Sequence, residues 1–171
     1  MGKTALMKRY SRRDESDPAR SCTENVELGG LADLIGYALK RTQLAVYQDF
    51  QRTFSDLNVR PVQYALISVI GCNPGLKQSQ LGAALEIKRA NIVSLLDELE
   101  ERNLAIRSPV AADRRSYALH LTEKGMELLE KLQERSVEEE KRLASRIGQK
   151  GREQLLTLLR EVRETADQLN Q

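Results

Sequence analysis

Residues 76–125 read LKQSQLGAALEIKRANIVSLLDELEERNLAIRSPVAADRRSYALHLTEKG, and the periodicity of this stretch predicts the fold. The apolar residues of its first part recur at the spacing of one helix face: Leu81, Ala84 and Leu85. Ser79 is placed to cap this helix at its N-terminus. After a turn at residues 86–88, a second helix has its own apolar stripe: Ile92, Leu96 and Leu99. Two short amphipathic helices joined by a tight turn are typical of a helix-turn-helix.

The second part of the stretch predicts a β-hairpin. Leu104 and Ile106 alternate with polar or small neighbours, as in a half-buried strand. The same alternation returns later, at Tyr117, Leu119 and Leu121. Residues 109–113 between the two runs predict a turn, and Arg114 and Arg115 follow it directly. Two helices followed by a basic hairpin predict a winged helix-turn-helix, with one helix for the major groove and the hairpin for the flanking backbone.

The hairpin also carries a family resemblance. Asp113-Arg114-Arg115, five further residues and Leu121-Thr122-Glu123-Lys124-Gly125 are similar to the wing signature D-x-R…L-T-x-x-G of the MarR family of bacterial transcriptional regulators. The preceding IVSLLDELEERNLAIR resembles that family's recognition helix and first wing strand. The chain departs from the family at Asn103, where glycine is usual, although asparagine also tolerates the left-handed conformation of a helix end. It departs again at Ser94, where arginine is common, which implies a weaker or shifted DNA contact.

The whole chain is predicted to be mainly α-helical with a small β-wing. We expect a long helix over residues 31–55, a helix beginning at Pro61, a helix over 123–147 capped by Thr122, and a last helix after a break at 148–151. The charged middle of the 123–147 helix, residues 134–142, is expected to be solvated. The predicted regions are a disordered charged tail (1–28), a dimerisation and effector-pocket helix (29–58), a winged helix-turn-helix DNA-binding domain (59–122) and C-terminal dimerisation helices (123–171).

The last helix predicts a homodimer. Its apolar residues lie close to a heptad seam: Leu155, Leu158, Leu159, Val162, Ala166 and Leu169. The terminal helices carry more apolar surface than a small winged helix covers, so we expect them to form a dimerisation layer. A two-fold dimer would place two recognition helices about one DNA turn apart, as a pseudo-palindromic operator requires. The MarR resemblance implies a dimer of this form.

The basic residues of this chain are concentrated rather than abundant. With 27 Lys and Arg against 25 Asp and Glu, the chain is no general polycation, so DNA affinity requires a local cluster. Residues 76–125 contain one: Lys77, Lys88, Arg89, Arg107, Arg114 and Arg115. The second helix begins with Arg89 and Asn91, which can read guanine and adenine bidentately and are the predicted base readers. The alternative is a solvated helix face, but acidic residues further along the helix favour DNA: Glu98, Glu100 and Glu101.

The predicted DNA interface comprises three segments: Lys77, Gln78 and Ser79; Lys88, Arg89, Asn91 and Ser94; and Asp113, Arg114 and Arg115. Free backbone N–H groups at the start of the first helix suit a phosphate. The family resemblance implies that Arg115 is the wing arginine in or near the minor groove. Arg114 is predicted to contact phosphate, and Asp113 to orient Arg115.

A small aromatic effector is predicted to regulate the chain. The candidate effector residues are aromatic side chains and nearby cations: Tyr37, Tyr47, Phe50, Phe54 and Tyr64, with Lys40, Arg41 and Arg60. Ordinary core packing is the alternative for each aromatic. The segment LIGYALKRTQLAVYQDF (34–50) resembles the MarR subgroup that responds to hydroxycinnamoyl-CoA thioesters such as p-coumaroyl-CoA, which implies repression of phenylpropanoid breakdown genes. A free aromatic acid, another phenolic, or oxidation of Cys22 or Cys72 remain alternative signals.

Other function classes are disfavoured by the sequence. It has no glycine-rich phosphate loop, nucleophile motif or paired acid and base, so we expect neither an enzyme nor a cofactor. His120 is the single histidine, and the two cysteines lack metal-ligand spacing, so no metal site is expected. Without a membrane-length apolar run or a signal peptide, the chain is expected to be cytoplasmic. A helical adaptor that binds only protein is the remaining rival.

Overall fold

The computed structural model describes residues 26–110 and 113–170, with backbone only for Val110 and residues 113–116. The helices are α1 (Ile35–Thr53), α2 (Pro61–Cys72), α3 (Gln78–Ala84), α4 (Arg89–Glu101), α5 (Glu123–Leu143) and α6 (Gly148–Leu169). The strands are β1 (Leu76–Lys77), β2 (Ala105–Val110) and β3 (Asp113–Leu121). Two 3₁₀ turns flank α1, at Gly29–Asp33 and Ser55–Leu57. The predicted tail lies outside the described residues up to residue 25.

The chain divides into two compact units between Arg41 and Thr42, inside α1. In the described residues, the first unit contains the Gly29–Asp33 turn and the first part of α1. The second contains the rest of α1, the other helices and the sheet. No helix in the described part of the chain combines the length and the apolar character that a membrane crossing requires.

The winged helix-turn-helix prediction is confirmed. The strands form an antiparallel sheet in the order β1-β3-β2, and β1 pairs with β3 at Leu76 and Leu119. The sequence did not reveal β1, because two residues are too few to show alternation. The buried core joins α2, α3, α4, β3 and α5: Leu66, Ile67, Ile70, Leu81, Ile92, Leu96, Leu99, Leu119 and Leu132. Gly82 lies where α3 and α4 meet, and a Cβ there would approach the Ile87 carbonyl oxygen to 3.3 Å.

Several predicted helix boundaries are wrong. The 31–55 helix is interrupted at Leu34, whose backbone is extended, and it ends at Thr53. The 123–147 helix ends at Leu143, and the predicted break at 148–151 is instead the first turn of α6. Pro61 is the first residue of α2, as expected. Helix ends depend on a few backbone hydrogen bonds, so periodicity locates them poorly.

The caps around the helix-turn-helix confirm two predictions and correct a third. Thr122 Oγ1 accepts the Gly125 N–H at 3.0 Å, so it caps α5 as expected. Asn103 adopts the left-handed conformation with φ 56°. Ser79, however, lies inside α3 rather than at its N-cap position, which Lys77 occupies. The side chain that bonds the free backbone donor is Gln80, whose Oε1 accepts the Lys77 N–H at 3.0 Å.

The wing is longer than predicted. Pro109 pairs with Tyr117 and Val110 pairs with Asp113, with a register irregularity between them, so the expected turn at 109–113 is largely strand. Proline is tolerated there because β2 is an edge strand. The predicted alternation of buried and exposed residues in the first wing strand is also incorrect. Leu104 is buried just before the strand, but Ile106 is 46% exposed.

The middle of α5 is not solvated as predicted, because several of its charged side chains contact residues 49–56. Arg135 pairs with Asp56 and donates to the Thr53 carbonyl at 3.1 Å, and this guanidinium lowers the pKa of Asp56. Arg142 donates to Thr53 Oγ1 at 2.6 Å. Glu139 is buried, and burial, followed by repulsion from Asp49, raises its pKa.

Candidate nucleic-acid interface

An open cleft of about 750 Å³ lies where α3, α4 and the wing meet. The N-terminus of α3 lines one side with Lys77, Gln78 and Ser79. Arg89 lines it from the first turn of α4, and Tyr117 from β3. The fold therefore brings Arg89 of α4 and the predicted contacts of α3 to one concave surface, although they are separated along the chain.

The start of α4 presents polar side chains that are free to bind a ligand. Lys88, Arg89, Asn91 and Ser94 are exposed, while the opposite face of the helix is buried in the core. Among the described side chains, none forms an ion pair or hydrogen bond with Lys88, Arg89 or Asn91. As far as the described side chains extend, this surface can therefore donate to base edges or phosphates without first breaking a side-chain contact.

The predicted wing contacts are described only in part. Asp113, Arg114 and Arg115 belong to β3 by their backbone, and their side chains lie outside the described residues. Tyr117, which the sequence analysis did not select, is 44% exposed and lines the cleft. Its alternation with Leu119 predicted a shared half-buried environment, but only Leu119 lies over the core. No local sequence signal distinguishes the two positions.

Arg107 also lines the cleft, but its charge is already paired with carboxylates of α4. One guanidinium nitrogen donates to Asp97 Oδ1 and to Glu100 Oε2, each at 2.6 Å, and another donates to the Val93 carbonyl at 3.0 Å. The side chain is only 15% exposed. Two carboxylates neutralise this cation, so Arg107 braces the wing strand against α4 instead of attracting phosphate.

The acidic second half of α4 is also engaged. Glu98 pairs with Arg60 and accepts the Gln63 side-chain N–H at 2.8 Å. Glu100 accepts the backbone N–H of Arg107 at 2.8 Å. Among the described residues, Glu101 has no side-chain partner. Glu98 and Glu100 therefore form contacts between α4 and its neighbours, beyond the change of charge sign that the sequence indicated.

The predicted effector residues fall in two groups. Phe50, Phe54 and Tyr64 form one aromatic cluster with ring centroids 4.3 to 6.4 Å apart. The Tyr64 hydroxyl donates to Ser136 Oγ at 3.0 Å, whereas Tyr47 is 43% exposed. In the other unit, Tyr37 is half-buried, and Lys40 and Arg41 are exposed.

Oxidation of a cysteine was one of the alternative signals, whereas no metal site was expected. Cys72 is exposed at the end of α2 with its thiol free, and Cys22 lies outside the described residues. Within residues 26–110 and 113–170, no group of three or more His, Cys, Asp and Glu side chains is arranged to hold a metal ion.

Helices α6 and α1 each expose large apolar side chains in the protomer. Helix α6 buries none of its residues in the protomer. Its large exposed side chains lie mainly on one side of the helix: Leu155, Leu158, Leu159 and Leu169. Helix α1 also exposes large apolar side chains: Ile35, Leu39, Leu44, Val46 and Tyr47. Exposed apolar side chains in such numbers on one helix typically mark a protein–protein interface.

Comparisons with known proteins agree with this arrangement. A protein-family model described as MarR family matches residues 55–116. A protein described as a transcriptional regulator for the hcr operon of Thauera aromatica is 33% identical over 150 residues, 87% of this chain and 90% of that protein. Two solved structures of the transcriptional repressor CouR are also similar. The one bound to a 23-mer DNA duplex has TM-score 0.78 at 36% identity, covering 81% of this chain and 98% of that chain. The one bound to p-coumaroyl-CoA has TM-score 0.75 at 33% identity, covering 81% and 97%.

Proposed function

Because this chain belongs to the MarR family of transcriptional regulators, we propose that it is a dimeric repressor that an aromatic acyl-CoA thioester releases from its operator. Its relatives are regulators of transcription, and the chain is not an enzyme. The observation that carries the proposal is the cleft, where Arg89 at the exposed start of α4 adjoins the N-terminus of α3.

In the proposed complex, α4 enters the major groove by its N-terminal half. Arg89 and Asn91 then read base edges, and each bidentate contact contributes about 1–3 kcal/mol of discrimination. Lys88 and Ser94 extend the same surface. Lys77 and the backbone N–H groups around Ser79 bind a phosphate. Arg114 contacts a phosphate of the flanking backbone, Arg115 lies in or near the minor groove, and Asp113 orients Arg115.

Dimerisation is proposed through the terminal helices. The uncovered apolar side chains of α6 and α1 support it, because an isolated protomer would leave them in water. A two-fold arrangement would present two copies of α4 to successive turns of duplex DNA. The proposed roles of residues 29–58 and 123–171 as dimerisation segments follow from the same observation.

The proposed effector is p-coumaroyl-CoA or a related aromatic thioester. Likeness to a repressor solved with p-coumaroyl-CoA supports it. Phe50 and Phe54 are buried in the core, as the alternative of ordinary packing predicts. The aromatic residues of the predicted set that remain for the acyl group are therefore its tyrosines: Tyr37, Tyr47 and Tyr64. Of the three predicted cations, Arg60 is already paired with Glu98, so Lys40 and Arg41 are the proposed phosphate partners. The regulated genes would then serve the breakdown of phenylpropanoids. Release from DNA requires that the thioester prefer a conformation whose recognition helices no longer match the operator.

Substitutions in α4 and the wing test the DNA proposal. Asn91→Ala is expected to relax preference at one base position, because only the base-reading contact is lost, with a specific affinity loss of about 1–3 kcal/mol. Arg115→Ala is expected to weaken binding to all sequences and to reduce the salt slope by about one. Both changes in affinity are measured by titration at several salt concentrations against two duplexes. One is a duplex that the wild-type protein selects from a random library, and the other is its scrambled version. Lys131→Ala, which removes an exposed charge from α5, is the control. Equal small losses for all three variants would contradict the assigned roles.

Calorimetric titration tests the effector proposal. We expect saturable binding of p-coumaroyl-CoA, weaker binding of free p-coumarate and of coenzyme A, and release of a prebound duplex by the thioester alone. Each fragment supplies only part of the contacts, so neither should match the whole ligand. Release by free p-coumarate instead would favour the free-acid alternative. Release only after oxidation, and its loss in Cys72→Ser, would favour thiol sensing.

A further inference from the structure

We propose that Glu98 is a positioning residue for DNA reading, held by Arg60 and Gln63 so that α4 keeps the orientation its base contacts need. This inference rests on the proposed DNA-binding function. It changes the interpretation of Glu98, from an acidic side chain that repels phosphate to a structural contact between the recognition helix and α2.

The contact converges on one carboxylate oxygen. Gln63 is buried in the first turn of α2, and its Oε1 accepts the Arg60 N–H at 3.1 Å. Its Nε2 donates to Glu98 Oε2 at 2.8 Å. The Arg60 guanidinium pairs with the same Glu98 oxygen. Both hydrogen-bonding ends of a buried amide are therefore used, and α2 is itself fixed in the core by Leu66 and Ile67.

This contact supplies orientation that the core does not. The buried stripe of α4 packs by apolar contact, which is non-directional, so a hydrogen-bonded contact adds a directional constraint on the helix. Glu98 lies nine residues after Arg89, about 13.5 Å along the helix, so a small change in tilt at Glu98 displaces the DNA-reading end. On the other side, Arg107 attaches β2 to Asp97 and Glu100. Polar contacts thus fix α4 from both α2 and the wing.

A role of Glu98 in orientation and a role in repelling DNA predict opposite changes in affinity. The side chains of Arg60 and Glu98 are 53% and 38% exposed, so their ion pair adds little to stability in water. Removing a negative charge from a DNA-binding helix should by itself strengthen binding to every duplex. Loss of orientation should instead weaken binding to the selected duplex alone. The two effects therefore have opposite signs on the operator.

The test compares Glu98→Ala with Glu101→Ala. Glu101 lies about one helical turn after Glu98 and carries the same charge, but its side chain has no partner among the described residues. The probes are a duplex that the wild-type protein selects from a random library, and its scrambled version. We expect Glu98→Ala to lower the ratio of selected to scrambled affinity about tenfold. Glu101→Ala should leave the ratio unchanged and strengthen both affinities slightly. Urea unfolding of each variant records whether the fold is retained.

Two further variants separate charge from position. Gln63→Leu leaves the net charge unchanged and should also lower the ratio, because the amide that holds Glu98 is gone. Arg60→Lys keeps a cation beside Glu98 and should stay close to wild type. Equal ratios for Glu98→Ala and Glu101→Ala, with the wild type still selective, would overturn this inference alone. A wild-type protein that selects no duplex would overturn the proposed function as well.

Discussion

Leu158→Glu is expected to leave the protomer folded but monomeric, and to lower affinity for the selected duplex at least about 100-fold. Leu158 is 49% exposed on a helix that buries nothing in the protomer, so glutamate costs the isolated chain little. In the proposed dimer the same carboxylate would be desolvated against apolar side chains, which is unfavourable without a partner. A monomer holds one recognition helix, and its affinity loses the contribution of the second half-site.

Light scattering after size exclusion measures the assembly state, and duplex titration measures the affinity. Gln168→Glu is the matched control, because it adds the same charge to the same helix, away from the leucine face at 3.6 residues per turn. We expect Gln168→Glu to remain dimeric with near wild-type affinity. A Leu158→Glu protein that stays dimeric at micromolar concentration would rule out α6 as the dimer interface.

Gly125→Ala is expected to reduce the free energy of unfolding by about 3 kcal/mol. A Cβ at residue 125 would overlap the Leu104 carbonyl oxygen and lie 2.9 Å from its carbonyl carbon. That carbonyl already accepts the Thr122 N–H at 3.1 Å, and Leu104 directly precedes β2, the first strand of the wing. Since the obstructing atoms are backbone, relief requires β2 and the first turn of α5 to separate.

Urea unfolding at fixed protein concentration measures this loss. Gly36→Ala is the control, because a Cβ there meets no atom within 4 Å and residue 36 is helical. We expect Gly36→Ala to be neutral or to stabilise by about 0.5–1 kcal/mol through helix propensity. If Gly125→Ala unfolds at the wild-type urea concentration, the packing of α5 on the Leu104 carbonyl is looser than the structure indicates. The close approach gives a physical reason for the glycine that ends the L-T-x-x-G pattern.

The features that could be predicted from the sequence alone depend on a few neighbouring residues. The apolar stripe of α4, the first residue of α2 at Pro61 and the Thr122 cap were predicted, because helical periodicity and capping involve residues three or four apart. The stripe predicted for α3 is only partly correct, since Leu81 is buried but Ala84 is exposed. The winged fold followed from the order of these local patterns, together with the wing motif. The exposed basic start of α4 followed from the same periodicity.

Only the tertiary structure decided which charges remain free. Arg107 and Glu98 resemble surface residues in the sequence, yet each is held by partners from another element: Asp97 and Glu100 for Arg107, Arg60 and Gln63 for Glu98. The strand β1 and the exposure of Tyr117 and Ile106 likewise depend on what lies beside them. Partners distant in the chain leave no local periodicity, because an ion pair or a strand pairing is fixed by the packing of whole elements rather than by neighbouring residues.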